Sequence, residues 1–170
     1  MERDIMNQLL EWKENPDRKP LLITGVRQCG KTYVCREFGE KYFEDTAYFY
    51  FEGNKGLASV FDYDYDTDRI LDELGNIIRG KEIIPGKTLV IFDEIQACPA
   101  AVTALKYFCE NKKNLHIICA GSLLGVSLKR DHISFPVGKI ERLQMYPLTF
   151  SEFLRADGKQ SLIDGVKKYD

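Results

Sequence analysis

The sequence predicts an α/β fold with a mostly parallel sheet of about five strands and helices on both faces. Three observations carry this. Short, nearly all-apolar runs recur at Pro20–Thr24, Thr88–Phe92 and Leu115–Ala120, each the length and character of a strand buried on both faces. Segments of helical apolar spacing lie between them, and strands that alternate with helices build parallel sheets. The polar motifs of the chain fall just after these runs, at the carboxyl ends of strands, where such sheets hold their ligands.

The remaining elements follow in order. Ile5, Met6, Leu9, Leu10 and Trp12 give residues 2–13 a helical stripe, which Asn15-Pro16 stops. A helix runs from about Lys31 to Tyr42, and the aromatic-rich run Thr46–Phe51 reads as a second strand. Asp62–Asp68 is acidic and irregular. Residues 69–80 place Ile70, Leu71, Leu74, Ile77 and Ile78 on one helical stripe, with Gly80 as the stop. Pro85-Gly86-Lys87 is a turn, 99–110 a helix and 139–145 a fifth strand. Residues 151–156 and 162–168 read as short terminal helices. There is no internal repeat.

The chain has 170 residues, 44% hydrophobic and 29% charged, with a net charge of −2. That suits one globular domain and argues against a broad nucleic-acid or anionic-membrane surface. No apolar run approaches the ~20 residues of a membrane span, and the charged start Met1-Glu2-Arg3-Asp4 is not followed by a signal-peptide core. The expected location is cytoplasmic. Five cysteines occur, Cys29, Cys35, Cys98, Cys109 and Cys119, with no C-x-x-C pair and two histidines. They read as reduced thiols used as small apolar residues, not as a zinc site. Cys29 differs because its neighbours include a lysine and a helix start, a setting that lowers thiol pKa and favours redox sensitivity.

Gly25-Val26-Arg27-Gln28-Cys29-Gly30-Lys31-Thr32 matches G-x-x-x-x-G-K-[ST] at every fixed position. A chance match arises roughly once in two hundred chains of this length, and here the motif follows a buried strand and precedes a helix. Glycines let the backbone N–H groups curl around phosphate, and the helix that starts at the loop adds its positive end. Lys31 is expected to reach the β- and γ-phosphates, and Thr32 to ligate Mg²⁺. Gly25 through Tyr33 form the expected cofactor-binding set. The run Leu89–Phe92 ends in Asp93-Glu94. Asp93 fits a Mg²⁺ carboxylate, and Glu94 a carboxylate that orients or deprotonates an attacking water. Ser122, after the fourth strand, is a candidate sensor of the γ-phosphate. Asn54-Lys55-Gly56-Leu57 and Asn111-Lys112-Lys113-Asn114 both lack the Asp of an N-K-x-D guanine reader, so the expected ligand is ATP with Mg²⁺. A small-molecule kinase is the weaker alternative, because Glu94 and Ser122 suit water as the nucleophile.

Together, Arg18–Thr32, Leu89–Gln96, Ala120–Ser122 and the box Tyr146-Pro-Leu-Thr-Phe-Ser-Glu-Phe-Leu154 resemble prokaryotic AAA-type ATPases. Longer members of that family join an N-terminal AAA domain to a C-terminal nuclease-like domain. The resemblance implies a P-loop NTPase three-layer sandwich of the additional-strand type, with the strand before Ser122 between those ending at Thr24 and Phe92. It also implies slow ATP hydrolysis coupled to conformation, a single domain over 1–170, and a longer parent chain continuing past Asp170. Within that domain, 1–18 is an N-terminal helix and linker, 19–145 the nucleotide-binding core and 146–170 a helical extension. The alternative is a nucleotide-gated binding or signalling switch. Partners left open are self-association, or DNA or protein reached through a region beyond residue 170; a membrane is not expected. Family members often carry an arginine where this chain has Gly138-Lys139, so Arg130, Lys139 and Arg142 are the candidates for an arginine finger. Lys129, Arg130, His132, Lys139 and Arg142 form a locally basic strip.

Overall fold

The computed structural model describes residues 4–122 and 135–158. Five strands form one all-parallel sheet: β1 (Leu21–Gly25), β2 (Asp45–Tyr50), β3 (Thr88–Asp93), β4 (His116–Ser122) and β5 (Glu141–Gln144). Their order is β2-β3-β4-β1-β5. The strand before Ser122 therefore lies between the other two ligand-end strands, as the family resemblance implied. The α-helices among the described residues are α1 (Ile5–Glu14), α2 (Lys31–Tyr42), α3 (Lys55–Ser59), α4 (Thr67–Asp72), α5 (Pro99–Asn111) and α6 (Phe150–Ala156). None is long and apolar enough to cross a membrane.

Side-chain alternation along the strands sorts the core into two layers. Ile23, Leu89, Ile91, Ile118 and Ala120 pack against Leu9 and Trp12 of α1 and Val34 and Phe38 of α2. Leu22, Phe49, Val90, Phe92 and Ile117 pack against Leu57, Ile70, Leu105 and Phe108 on the opposite face. Phe92 anchors that face, with its ring 5.5–6.5 Å from those of Phe49, Phe51, Phe61 and Phe108. The same parity positions the site. Asp93 continues the series of Leu89 and Ile91, Ser122 that of Ile118 and Ala120, and Tyr48 packs on the α2 layer. All three point to the side of the sheet that α2 covers.

The acidic stretch ends in a cap: Asp66 Oδ1 accepts from the N–H groups of Asp68 at 3.0 Å and Arg69 at 3.3 Å to start α4. The predicted single stripe over 69–80 needs correction. After α4 the chain becomes a π-helix over Glu73–Arg79 and stops at Gly80, φ 75°. Ile70 and Leu74 are fully buried, but Ile77 is 71% and Ile78 45% exposed. A π turn holds more residues than an α turn, so the later isoleucines rotate off the core. The returning chain lies over Gly75, where a Cβ would come within 3.1 Å of the Lys81 carbonyl and the Ile83 nitrogen. The short α3, capped by Asn54 Oδ1 accepting from Leu57 N–H at 3.0 Å, was not anticipated.

At the other end, α6 forms where predicted. Thr149 and Glu152 make a reciprocal capping box, and the buried Glu152 also accepts from Asp4 N–H at 3.0 Å. Arg155 pairs with Asp4 at 2.7 Å, which ties α6 to the start of α1. The helix expected at 162–168, and Lys129, Arg130 and His132, lie outside the described residues.

His116 opens β4, buried edge-on between Trp12 at 5.7 Å and Phe43 at 5.0 Å. Burial first, and then the positive charge of Arg18, pushes its pKa down to about 4, from 6.5. The folded chain keeps the imidazole neutral while the unfolded chain protonates it below 6.5. Its stabilising contribution is therefore complete above 6.5 and is lost as pH falls towards 4. Between pH 7 and pH 4, urea unfolding should show the wild-type chain losing about 2–3 kcal/mol more than a His116→Phe variant.

Candidate functional site

The loop after β1 is shaped by two close approaches. Gly25 lies against the end of β5: a Cβ there would sit 2.5 Å from the Met145 carbonyl oxygen and 3.0 Å from Cys29 Sγ. Met145 N–H in turn donates to Thr24 O at 2.7 Å. Gln28 at φ 60° and Gly30 at φ 91° occupy the left-handed region, which glycine adopts freely and glutamine only against steric cost. Alternation of such conformations turns N–H groups inward to form an anion-binding concavity. Lys31 begins α2 and is only 7% exposed. Its ammonium donates to the carbonyls of Gly25 at 3.0 Å and Val26 at 2.8 Å and lies 3.8 Å from Cys29 Sγ.

At the end of β3, Asp93 Oδ2 accepts hydrogen bonds from Thr32 Oγ1 at 2.7 Å and the Tyr48 hydroxyl at 2.6 Å. Asp93 Oδ1 accepts from Glu94 N–H at 3.0 Å. Burial, then the hydrogen bond to Asp93 and its charge, pushes the Tyr48 pKa up, so the phenol remains a donor. The Arg36 guanidinium stacks 4.4 Å from the centre of the Tyr48 ring. Glu94 takes the left-handed conformation, φ 51°. Ser122 Oγ donates towards its carboxylate oxygens at 3.4 and 3.5 Å, and the Gln96 side-chain amide donates to Oε2.

These groups border a cleft of about 470 Å³. Arg27, Gln28, Gly30, Lys31 and Thr32 line it from the loop side, and Glu52, Glu94 and Ser122 from the sheet side. The structure thus gathers Lys31, Thr32, Asp93, Glu94 and Ser122 from three elements. Val26 and Tyr33, at 54% and 53% exposure, lie outside that lining. Cys29 is buried beneath the loop, 4.0 Å from the Met145 carbonyl, not open to solvent. Cys35 and Cys119 are fully buried, and that burial pushes their thiol pKa values up, consistent with cysteines used as apolar residues.

Two arginine-finger candidates sit elsewhere. Arg142 pairs in register with Leu22, three residues before Gly25, about 10 Å along the strand. Its guanidinium stacks on Phe135, which belongs to the core layer opposite α2. Lys139 pairs with Glu110 at 3.3 Å. Neither reaches the cleft of its own chain. Three site residues went unread in the sequence: Tyr48, Glu52 and Gln96. The available signals were a tyrosine at an α2-facing position of the aromatic strand and a glutamine two residues beyond Glu94.

The sequence model of the family described as AAA domain matches residues 17–154. No curated protein matches the chain. Among solved structures, the Aeropyrum pernix ORC1 protein in complex with DNA superposes with a TM-score of 0.53 at 15% identity, covering 91% of this chain and 48% of that one. Drosophila ORC bound to DNA gives a TM-score of 0.53 at 16% identity, covering 89% of this chain and 44% of that one. The chain spans about half the length of each. At these identities the likeness is one of fold, the three-layer P-loop NTPase arrangement expected from the sequence.

A Gly25→Ala substitution must displace either the Met145 carbonyl or the loop. It should lower the thermal midpoint by several degrees and weaken binding of a fluorescent ATP analogue at least about tenfold. Gly86→Ala is the comparison: Gly86 also has positive φ, 84°, but open space around it. That variant should lose stability alone, with analogue binding unchanged.

Proposed function

The chain belongs to the AAA domain family, and from that premise we propose that it binds Mg-ATP in the cleft above Gly25–Thr32 and hydrolyses it slowly, coupling nucleotide state to conformation. One observation carries the reading. A buried lysine, the threonine after it and a carboxylate beside Ser122 border the same cleft, and a second carboxylate, Asp93, lies behind the threonine hydroxyl at 2.7 Å. This is the set that phosphoryl transfer to water requires.

Each group has a task in this reading. The curled N–H groups and the start of α2 bind the phosphates. Lys31 exchanges two loop carbonyls for phosphate oxygens, so the triphosphate meets an ammonium already held at the loop. Thr32 and Asp93 would hold Mg²⁺, and their two oxygens suit an ion that keeps phosphate and water as its other ligands. Mg²⁺ supplies neutralisation of phosphate charge. Glu94 accepts a proton from water as the water oxygen bonds to the γ-phosphorus. The bond from γ-phosphorus to the bridging oxygen breaks, and ADP leaves with phosphate. The bound set is Gly25, Val26, Arg27, Gln28, Cys29, Gly30, Lys31, Thr32 and Tyr33. Residues 19–145 form the nucleotide-binding core, between an N-terminal helix with its linker (1–18) and a helical extension (146–170). Lys139 and Arg142 do not reach the cleft of their own chain and Arg130 lies outside the described residues; in this reading the further cation that speeds hydrolysis is supplied by a second copy. Such a trans arginine can raise rates by ~10³–10⁵, so hydrolysis by separate chains is slow.

A second reading, a nucleotide-gated switch acting on DNA, draws on the DNA present in both superposing structures. DNA affinity that changes with ATP, ADP or neither, and that falls with salt, would favour it.

The leading reading makes a paired prediction. Lys31→Ala should weaken ATP binding by about a hundredfold or more. Glu94→Gln should keep ATP affinity within about threefold while cutting phosphate release by about a hundredfold. Equal phosphate release from wild type and both variants would overturn the reading.

A further inference from the structure

Gln96 belongs to the motif Asp93-Glu94-Ile95-Gln96, yet it does not line the cleft. The turn that holds it is tightly specified. After Glu94 in its left-handed conformation, Ile95–Ala97 form a single 3₁₀ turn, with Ala97 N–H donating to Glu94 O at 3.0 Å. Ile95 is fully buried in the core and pins that turn. This backbone path folds the side chain of Gln96 back over Glu94, two residues earlier, and the amide donates to Glu94 Oε2.

We propose that Gln96 is a positioning residue for Glu94. Its amide fixes the rotamer of the carboxylate and occupies Oε2, which leaves Oε1 to receive the proton of the attacking water. The proposal rests on the reading of Glu94 as the water-activating group. Two further observations support it. Among the described residues, the other hydrogen bonds to this carboxylate come from Ser122, and at 3.4 and 3.5 Å they are long. The second amide atom, Gln96 Oε1, is buried without a hydrogen-bond partner among the described residues. A buried carbonyl left unpaired is destabilising. An apolar side chain of the same size would serve the fold better, so stability does not account for an amide here. Orientation of Glu94 does.

The test uses the full chain and four proteins: wild type, Gln96→Leu, Glu94→Gln and the double variant. Single-turnover hydrolysis of radiolabelled ATP resolves even slow rates. Gln96→Leu should lower the hydrolysis rate about tenfold, leave affinity for a fluorescent ATP analogue within about twofold, and keep or raise the thermal midpoint. In the Glu94→Gln background the same substitution should change the rate less than twofold, because a residue that acts through Glu94 has nothing left to act on. A wild-type rate in Gln96→Leu, or an equal loss in both backgrounds, overturns the proposal while leaving the function assigned to Glu94 intact. A wild-type rate in Glu94→Gln overturns that assignment, and the positioning role with it.

Discussion

One carboxylate oxygen, Asp93 Oδ2, joins three elements of the fold. It takes the hydroxyl of Thr32 from α2 and that of Tyr48 from β2, at 2.7 and 2.6 Å, while belonging itself to β3. Asp93 is only 3% exposed, and a buried carboxylate is tolerated only when its oxygens are hydrogen-bonded. The Glu94 N–H on Oδ1 adds a third donor. Satisfying this charge fixes where the first turn of α2 stands relative to the sheet, and hence where the loop before it can run.

The loop is held from its other side by β5. Gly25 lets the backbone approach the Met145 carbonyl to a distance that no Cβ permits, and Met145 N–H closes the contact on Thr24. The edge strand thus serves as a wall for the loop as well as a member of the sheet. Asp93 on one side and Met145 on the other hold the curl of the loop. Lys31 rests on two carbonyls. In the proposed function, binding exchanges these partners for phosphate oxygens.

What the sequence disclosed follows from the range of the interactions. The motif Gly25–Thr32 is local, eight consecutive residues whose types answer to phosphate chemistry, so its place between a buried strand and a helix was legible from the sequence. The buried strands were readable because a two-sided sheet demands unbroken apolar runs, and Asp93 and Ser122 because they end such runs. Tyr48 was not readable as a partner of Asp93, since that contact depends on β2 pairing with β3 in one register. The π-helix was hidden because its isoleucines keep α-helical spacing in the sequence, and the close return of the chain over Gly75 is a tertiary contact. Where Arg142 stands was likewise not readable, since strand parity and register put it on the face opposite α2 and near the start of β5.

Charge within the cleft bears on why the proposed hydrolysis would be slow. The side chains lining it include two cations, Arg27 and Lys31, and two acids, Glu52 and Glu94, with Asp93 directly behind Thr32. A strongly anionic triphosphate entering there gains from the loop N–H groups and the α2 dipole, but the side chains alone offer no net positive charge. In the proposed function, Mg²⁺ held by Thr32 and Asp93 would offset part of this. Beyond Arg27 and Lys31, the described residues bring no further side-chain cation to the cleft, since Lys139 and Arg142 are held elsewhere. In the proposed function, a cation delivered by another copy would act on the rate far more than on affinity.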